Sequence, residues 1–135
     1  MYEGNDASQN QVCTLYWDQD TTFNFQHYDA CENDETRSGV LRFADYGTII
    51  TLYDSPSGDK GDDYTEIKVD GTPSPIQATM FFFLFQVKAE VKENVIIRSY
   101  EQSQTIQVAG GTVEVTHHHH NGLDGKVSRV EIVMF

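Results

Sequence analysis

The sequence predicts an all-β sandwich assembled from two similar halves, and three observations carry that expectation. A strand–turn–strand unit occurs twice, apolar residues along it alternate, and no stretch sustains a helical period. The first copy runs Gly47-Thr-Ile-Ile-Thr-Leu-Tyr, through a polar loop Asp54 to Asp63, into Tyr64-Thr-Glu-Ile-Lys-Val. The second runs Gly111-Thr-Val-Glu-Val-Thr, through a polar turn His117 to Lys126, into Val127-Ser-Arg-Val-Glu-Ile. Gly47 precedes Thr65 by 18 residues and Gly111 precedes Ser128 by 17. In each copy the closing strand is entered through a hydroxyl and carries apolar residues at alternate positions, Ile67 and Val69, then Val130 and Ile132. Neither unit can bury an apolar face alone, so two units imply a shared core.

Taken in order, residues 1–11 read as a flexible acidic arm and residues 12–135 as one β domain with copies at about 40–70 and 95–133. Val12 to Trp17 is apolar enough for an additional N-terminal strand. After the turn Asp18-Gln-Asp-Thr, Phe23, Phe25 and His27 alternate with polar residues and predict a half-buried strand. Gly39 to Phe43 is a short strand leading into the first copy. Ser-Pro-Ser-Gly and Lys-Gly punctuate the loop between its two strands. Met80-Phe-Phe-Phe-Leu-Phe85 breaks the alternation, so a strand made of it shows apolar side chains on both faces. One face meets the core; the other needs a cover, from residues 12–43 or from a second chain. Met80, Phe81, Phe82, Phe83, Leu84 and Phe85 are therefore the expected self-association surface. Val95 to Tyr100, Thr105 to Val108, Thr112 to Val115 and Val127 to Phe135 complete nine or ten strands, with no helix.

Charge narrows the partners. The chain has 21 acids against 9 bases, a formal −12, and residues 1–67 hold 14 of those acids with 3 bases. Such a surface repels phosphate backbones and attracts cations, which argues against nucleic acid and for small cations. No apolar run reaches the ~18 residues of a membrane span. The first residues lack a secretory apolar region, so the expected setting is cytoplasmic, vesicular, or secreted after processing. Cys13 and Cys31 are a candidate disulfide; within one chain, between chains, or as two buried thiols are all open from spacing alone.

Catalysis finds little support, and a non-enzymatic role is expected. There is no phosphate-cradling glycine loop. Ser55 and Ser57 with the histidines 117–120 hold a nucleophile and a base, but no pattern fixes their geometry. The histidine run has more to offer as a ligand set. On a strand His117 and His119 face one side, and an i, i+2 imidazole pair suits Zn²⁺, Ni²⁺ or Cu²⁺. The turns of the two copies are the better candidates, and they offer oxygen instead. Asp62 before Thr65, and Asp124 before Ser128, each set a carboxylate three or four residues ahead of a hydroxyl in a glycine-bearing turn, an arrangement suited to Ca²⁺.

Asp124-Gly-Lys-Val-Ser-Arg-Val-Glu-Ile, preceded by the Gly-Thr-Val-Glu-Val strand, resembles the closing part of a βγ-crystallin Greek-key motif. Calcium-binding members carry there two Asn/Asp residues, two variable positions and a Ser/Thr. Asp124 and Ser128 match, while Gly125 stands at the second acidic position and Arg129 where a further Ser is usual. In the first copy Asp62 and Thr65 match and Gly61 departs, with Ile50, Leu52, Tyr53 and Gly58 at the motif start. The resemblance covers about residues 40–133. It implies two Greek keys packed as a sandwich, in a structural or self-assembling protein that requires no cofactor and binds calcium weakly at most. The alternatives are a calcium-sensing module, or a carbohydrate-binding module stacking sugars on Trp17, Tyr53 and Tyr64.

Overall fold

Among the described residues eight antiparallel strands form: β1 (Thr21–Asn24), β2 (Gly39–Leu41), β3 (Ile49–Tyr53), β4 (Tyr64–Gly71), β5 (Val95–Ile97), β6 (Gln104–Val108), β7 (Gly111–His118) and β8 (Arg129–Val133). The computed structural model describes residues 1–27, 31, 36–71, 91, 94–120, 122–123 and 126–134. The apolar run Met80–Phe85 and the expected calcium ligand Asp124 lie outside these residues. The protein is all-β, with a 3-10 turn at Asn5–Ala7 as the single helical element among the described residues.

Six strands make one sheet in the order β1-β8-β3-β4-β7-β6, and β2 pairs with β5 in a second, two-stranded sheet. The two copies of the repeat do not occupy separate halves. The β3–β4 hairpin of the first copy lies between the two strands of the second, because β8 pairs with β3 and β7 with β4. Both long connections, 54–63 and 119–128, consequently leave the same end of the sheet, where Tyr53 faces Tyr64 and Tyr64 faces His118.

Register then decides which side chains are buried, because residues opposite one another share a face. One transverse row runs Phe23–Val130–Leu52–Thr65–His117. The next row on that face runs Ile132–Ile50–Ile67–Val115. All the apolar members of both rows are buried and belong to one core with Leu41, Val95, Ile97 and Tyr100 of the smaller sheet and its neighbours. Full burial of side chains of this size is worth about 1.5–3 kcal/mol each. The opposite face carries Glu66, Glu131, Lys68 and Glu114, the polar half of the alternation. There Arg129 spans 2.7 Å to Glu131, and Tyr53 donates to the same carboxylate at 3.0 Å. Burial, with Glu131 beside it, pushes the Tyr53 phenol up to about 12.

Two N-terminal expectations change. Residues 1–11, read as a flexible arm, are tied down: Tyr2 bridges both Gln11 and Ser38, and Ser38 donates to the Gly4 carbonyl. Val12 to Trp17 forms no ladder, and its first residues bond to the chain's first residue instead. The Met1 ammonium donates to the Cys13 carbonyl at 2.7 Å and Val12 N–H to the Met1 carbonyl at 2.9 Å. A cavity of about 760 Å³ lies between this segment and the inner face of the six-stranded sheet, with Trp17 and Phe43 at its border and Leu52 and Val130 in its wall.

The cysteines pair within the chain: Cys13 and Cys31 form a disulfide whose Cα atoms are 5.1 Å apart, and both are buried. A bridge closing a loop of this length restricts the unfolded chain by about 3 kcal/mol. Replacing both cysteines by serine should lower the stability to urea by about that amount, and alkylation of the unfolded, unreduced wild type should find no thiol. Unchanged stability, or two thiols per chain, would contradict the bridge.

Candidate metal centre

Asp63, His117 and His119 meet at the end of the sheet where both long connections leave it. Asp63 closes the β3–β4 loop, whose ends are joined by the Asp54 N–H to the Asp63 carbonyl at 3.0 Å. Its side chain is wholly buried, an unusual place for a carboxylate unless donors surround it. The donors come from the other copy. Asp63 Oδ1 accepts the His120 N–H at 2.7 Å, and Oδ2 accepts the Gly122 N–H at 2.8 Å. Gly122 has φ +104°, and a Cβ there would approach Glu101 Oε1 at 2.7 Å, so this turn requires glycine. Glu101 Oε1 in turn accepts the Leu123 N–H. Two carboxylates thus hold the start of the β7–β8 connection by its backbone.

His117 lies on the inner face, in the row with Thr65 and Leu52, and its side chain is 6% exposed. Its tautomer follows from its neighbours. The Thr65 hydroxyl has one proton and gives it to the Tyr100 carbonyl at 2.5 Å. The 2.8 Å contact between Thr65 Oγ1 and His117 Nδ1 must therefore be a bond donated by the ring. Burial pushes the imidazole below its ordinary range and favours the neutral form, against the upward pull of Asp63 and Glu101. With the proton on Nδ1, Nε2 carries a lone pair. It is buried without a hydrogen-bond partner and stands 3.5 Å from Asp63 Oδ2.

Two acceptors facing each other at 3.5 Å are a poor arrangement by themselves and a good one around a cation. Ligand atoms roughly 2.0–2.1 Å from a tetrahedral Zn²⁺ lie about 3.3–3.4 Å apart. His119, two residues on and back on the same side, brings Nδ1 to 3.6 Å from the same Oδ2, and all three donor atoms fall within 4.8 Å of one another. His119 is 67% exposed, so the set has a buried floor and a side open to water. His118 points the other way and stacks on Tyr64 at 4.2 Å between ring centroids.

The expected histidine pair is thus brought together, and the residue that sequence reading missed is Asp63. Its signal was a second acid beside Asp62, directly before the Tyr-Thr that opens β4. Of the oxygen set expected for calcium, the described members Asp62, Thr65 and Ser128 make the following contacts. The Thr65 hydroxyl is enclosed between Tyr100 and His117. Asp62 Oδ1 accepts the Asp63 N–H at 2.9 Å, and Ser128 is buried, its hydroxyl 3.4 Å from the Lys126 carbonyl. Ser55 and Ser57 contact each other at 2.9 Å in an exposed turn. Of the aromatics named for sugar stacking, Trp17 lines the cavity, while Tyr53 is buried and stacks at 6.2 Å between ring centroids on Tyr64, which lies between it and His118. A scan against protein-family models finds no match, and searches of curated proteins and of solved structures return none.

Asp63→Asn keeps the shape but offers one acceptor oxygen where two are used, leaving a backbone N–H facing an amide. In metal-free protein it should cost about 2–3 kcal/mol of urea stability. A loss below about 0.5 kcal/mol, the range of ordinary surface changes, would contradict the role given to this carboxylate.

Proposed function

We propose that the protein is a non-enzymatic, disulfide-stapled β domain that holds a zinc-class divalent cation between Asp63, His117 and His119. One observation carries the reading: a neutral, buried, unpartnered imidazole nitrogen aimed at a buried carboxylate oxygen. Two imidazoles and one carboxylate suit Zn²⁺, Cu²⁺ or Ni²⁺ better than Ca²⁺, whose ligands are oxygens. Thr65 supports the reading from behind, since a ring that donates Nδ1–H is fixed to present Nε2 to a metal. The ion would tie Asp63 of the first copy to His117 and His119 of the second, at the point where the Asp63 carboxylate already accepts backbone N–H groups of the β7–β8 connection. The Cys13–Cys31 bridge favours an oxidising compartment for the folded chain.

Titration calorimetry of chelator-stripped protein with Zn²⁺ tests this. The expected result is one ion per chain, with affinity weakening on acidification because protons compete with the ion for imidazole nitrogen, His117 taking one up only below its ordinary range. His117→Gln should weaken binding by more than about 10-fold, and Thr65→Val, which releases Nδ1, by about 10-fold. Equal affinity in His117→Gln would assign any binding to the exposed histidines and end the proposal. A Ca²⁺ titration beside it examines the oxygen set Asp62, Thr65, Asp124 and Ser128.

A further inference from the structure

We infer, resting on the metal site proposed above, that the bound ion keeps one coordination position open to solvent and takes there a small exogenous anion, of the carboxylate or azide type, in place of water. A tetrahedral ion of the zinc class needs four ligands, and sites with three protein ligands complete the set with water or a solute. Among the described residues the cluster supplies three: Asp63, His117 and His119.

Among the described residues, the groups around these three have other partners. Thr65 Oγ1 stands behind His117, bonded to its Nδ1 and to the Tyr100 carbonyl. His118 is on the opposite face of β7 against Tyr64. The described backbone groups that meet the Asp63 carboxylate, His120 N–H and Gly122 N–H, are donors and cannot ligate a cation. Glu101 Oε1 accepts the Leu123 N–H.

Exposure gives the open position its direction. Asp63 is wholly buried and His117 nearly so, whereas His119 is 67% exposed, so the coordination sphere is closed on the protein side and reaches water along His119. Charge gives the ligand its class. Counted over its ligands alone, a divalent ion with one carboxylate and two neutral imidazoles keeps one net positive charge, which favours an anion over a neutral donor at the metal. Glu101, whose field reaches His117, opposes the anion from outside the ligand set. The formal −12 of the whole chain acts at longer range and is screened over about 8 Å at physiological salt. Small anions are therefore favoured over bulky polyanions, which would also meet the surrounding acids.

Cobalt reports both occupancy and coordination. Metal-stripped protein is loaded with one equivalent of Co²⁺, its visible spectrum is recorded, and sodium azide is added, alongside His117→Gln and His119→Ala. The expected result is an intense four-coordinate cobalt band that shifts saturably with azide and is lost in His117→Gln. His119→Ala, an exposed position whose change leaves the core intact, should turn the band toward the weak absorption of a more hydrated ion. A cobalt band that azide leaves unmoved would show a closed site: this inference fails and the metal reading stands. No cobalt band, together with no heat from Zn²⁺, would remove the metal reading and this inference with it. An azide shift that survives in His117→Gln would place the ion on the exposed histidines and likewise overturn the inference.

Discussion

A carboxylate buried away from water must be surrounded by donors, and the end of this sheet is arranged around that requirement. Asp63 meets it with backbone N–H groups that the chain supplies almost 60 residues later, at His120 and Gly122. The hydrogen bonds are local in space and distant in sequence, so they fix the β7–β8 connection against the β3–β4 loop. The conformation of Gly122, the approach of Glu101 and the position of His119 all depend on that attachment.

The second constraint comes from sheet register. The pairing of Thr65 with His117 puts a histidine in a row that otherwise buries Leu52, Val130 and Phe23. A polar ring in such a row costs free energy unless both nitrogens are used. Thr65 uses one of them, and does so only because its own proton is committed to the Tyr100 carbonyl. This leaves the other nitrogen as an acceptor facing an acceptor. The sheet thus produces a metal-ligand tautomer from two ordinary hydrogen bonds, with the alternation of the strand returning His119 to the same side.

Local patterns were legible in the sequence, whereas strand partnership was not. Alternation at Ile67 and Val69, and at Val130 and Ile132, marked β4 and β8, and the spacing of His117 and His119 placed both on one side. The interleaving of the copies was hidden, because nothing in either unit states whether its strands pair with each other or with those of the other unit. The same ignorance hid Asp63. Its importance lies in groups contributed by the second copy, while from the sequence it was one acid among 21. The arm at 1–11 looked flexible because its composition is polar, yet Tyr2, Gly4 and Ser38 satisfy one another's backbone groups. The Cys13–Cys31 pairing needed a Cα separation that spacing cannot supply.

The central claim is that His117 is neutral, carries its proton on Nδ1 and turns a bare Nε2 toward Asp63. Long-range ¹H–¹⁵N correlation spectra of the metal-free protein read ring tautomers directly, and His117→Gln assigns the signal. The account predicts a protonated Nδ1 and an unprotonated, pyridine-type Nε2 at neutral pH, with the Nε2 resonance shifting on addition of Zn²⁺. A proton on Nε2, or a ring charged at neutral pH, would mean that Asp63 is hydrogen-bonded to the imidazole, and would contradict the account.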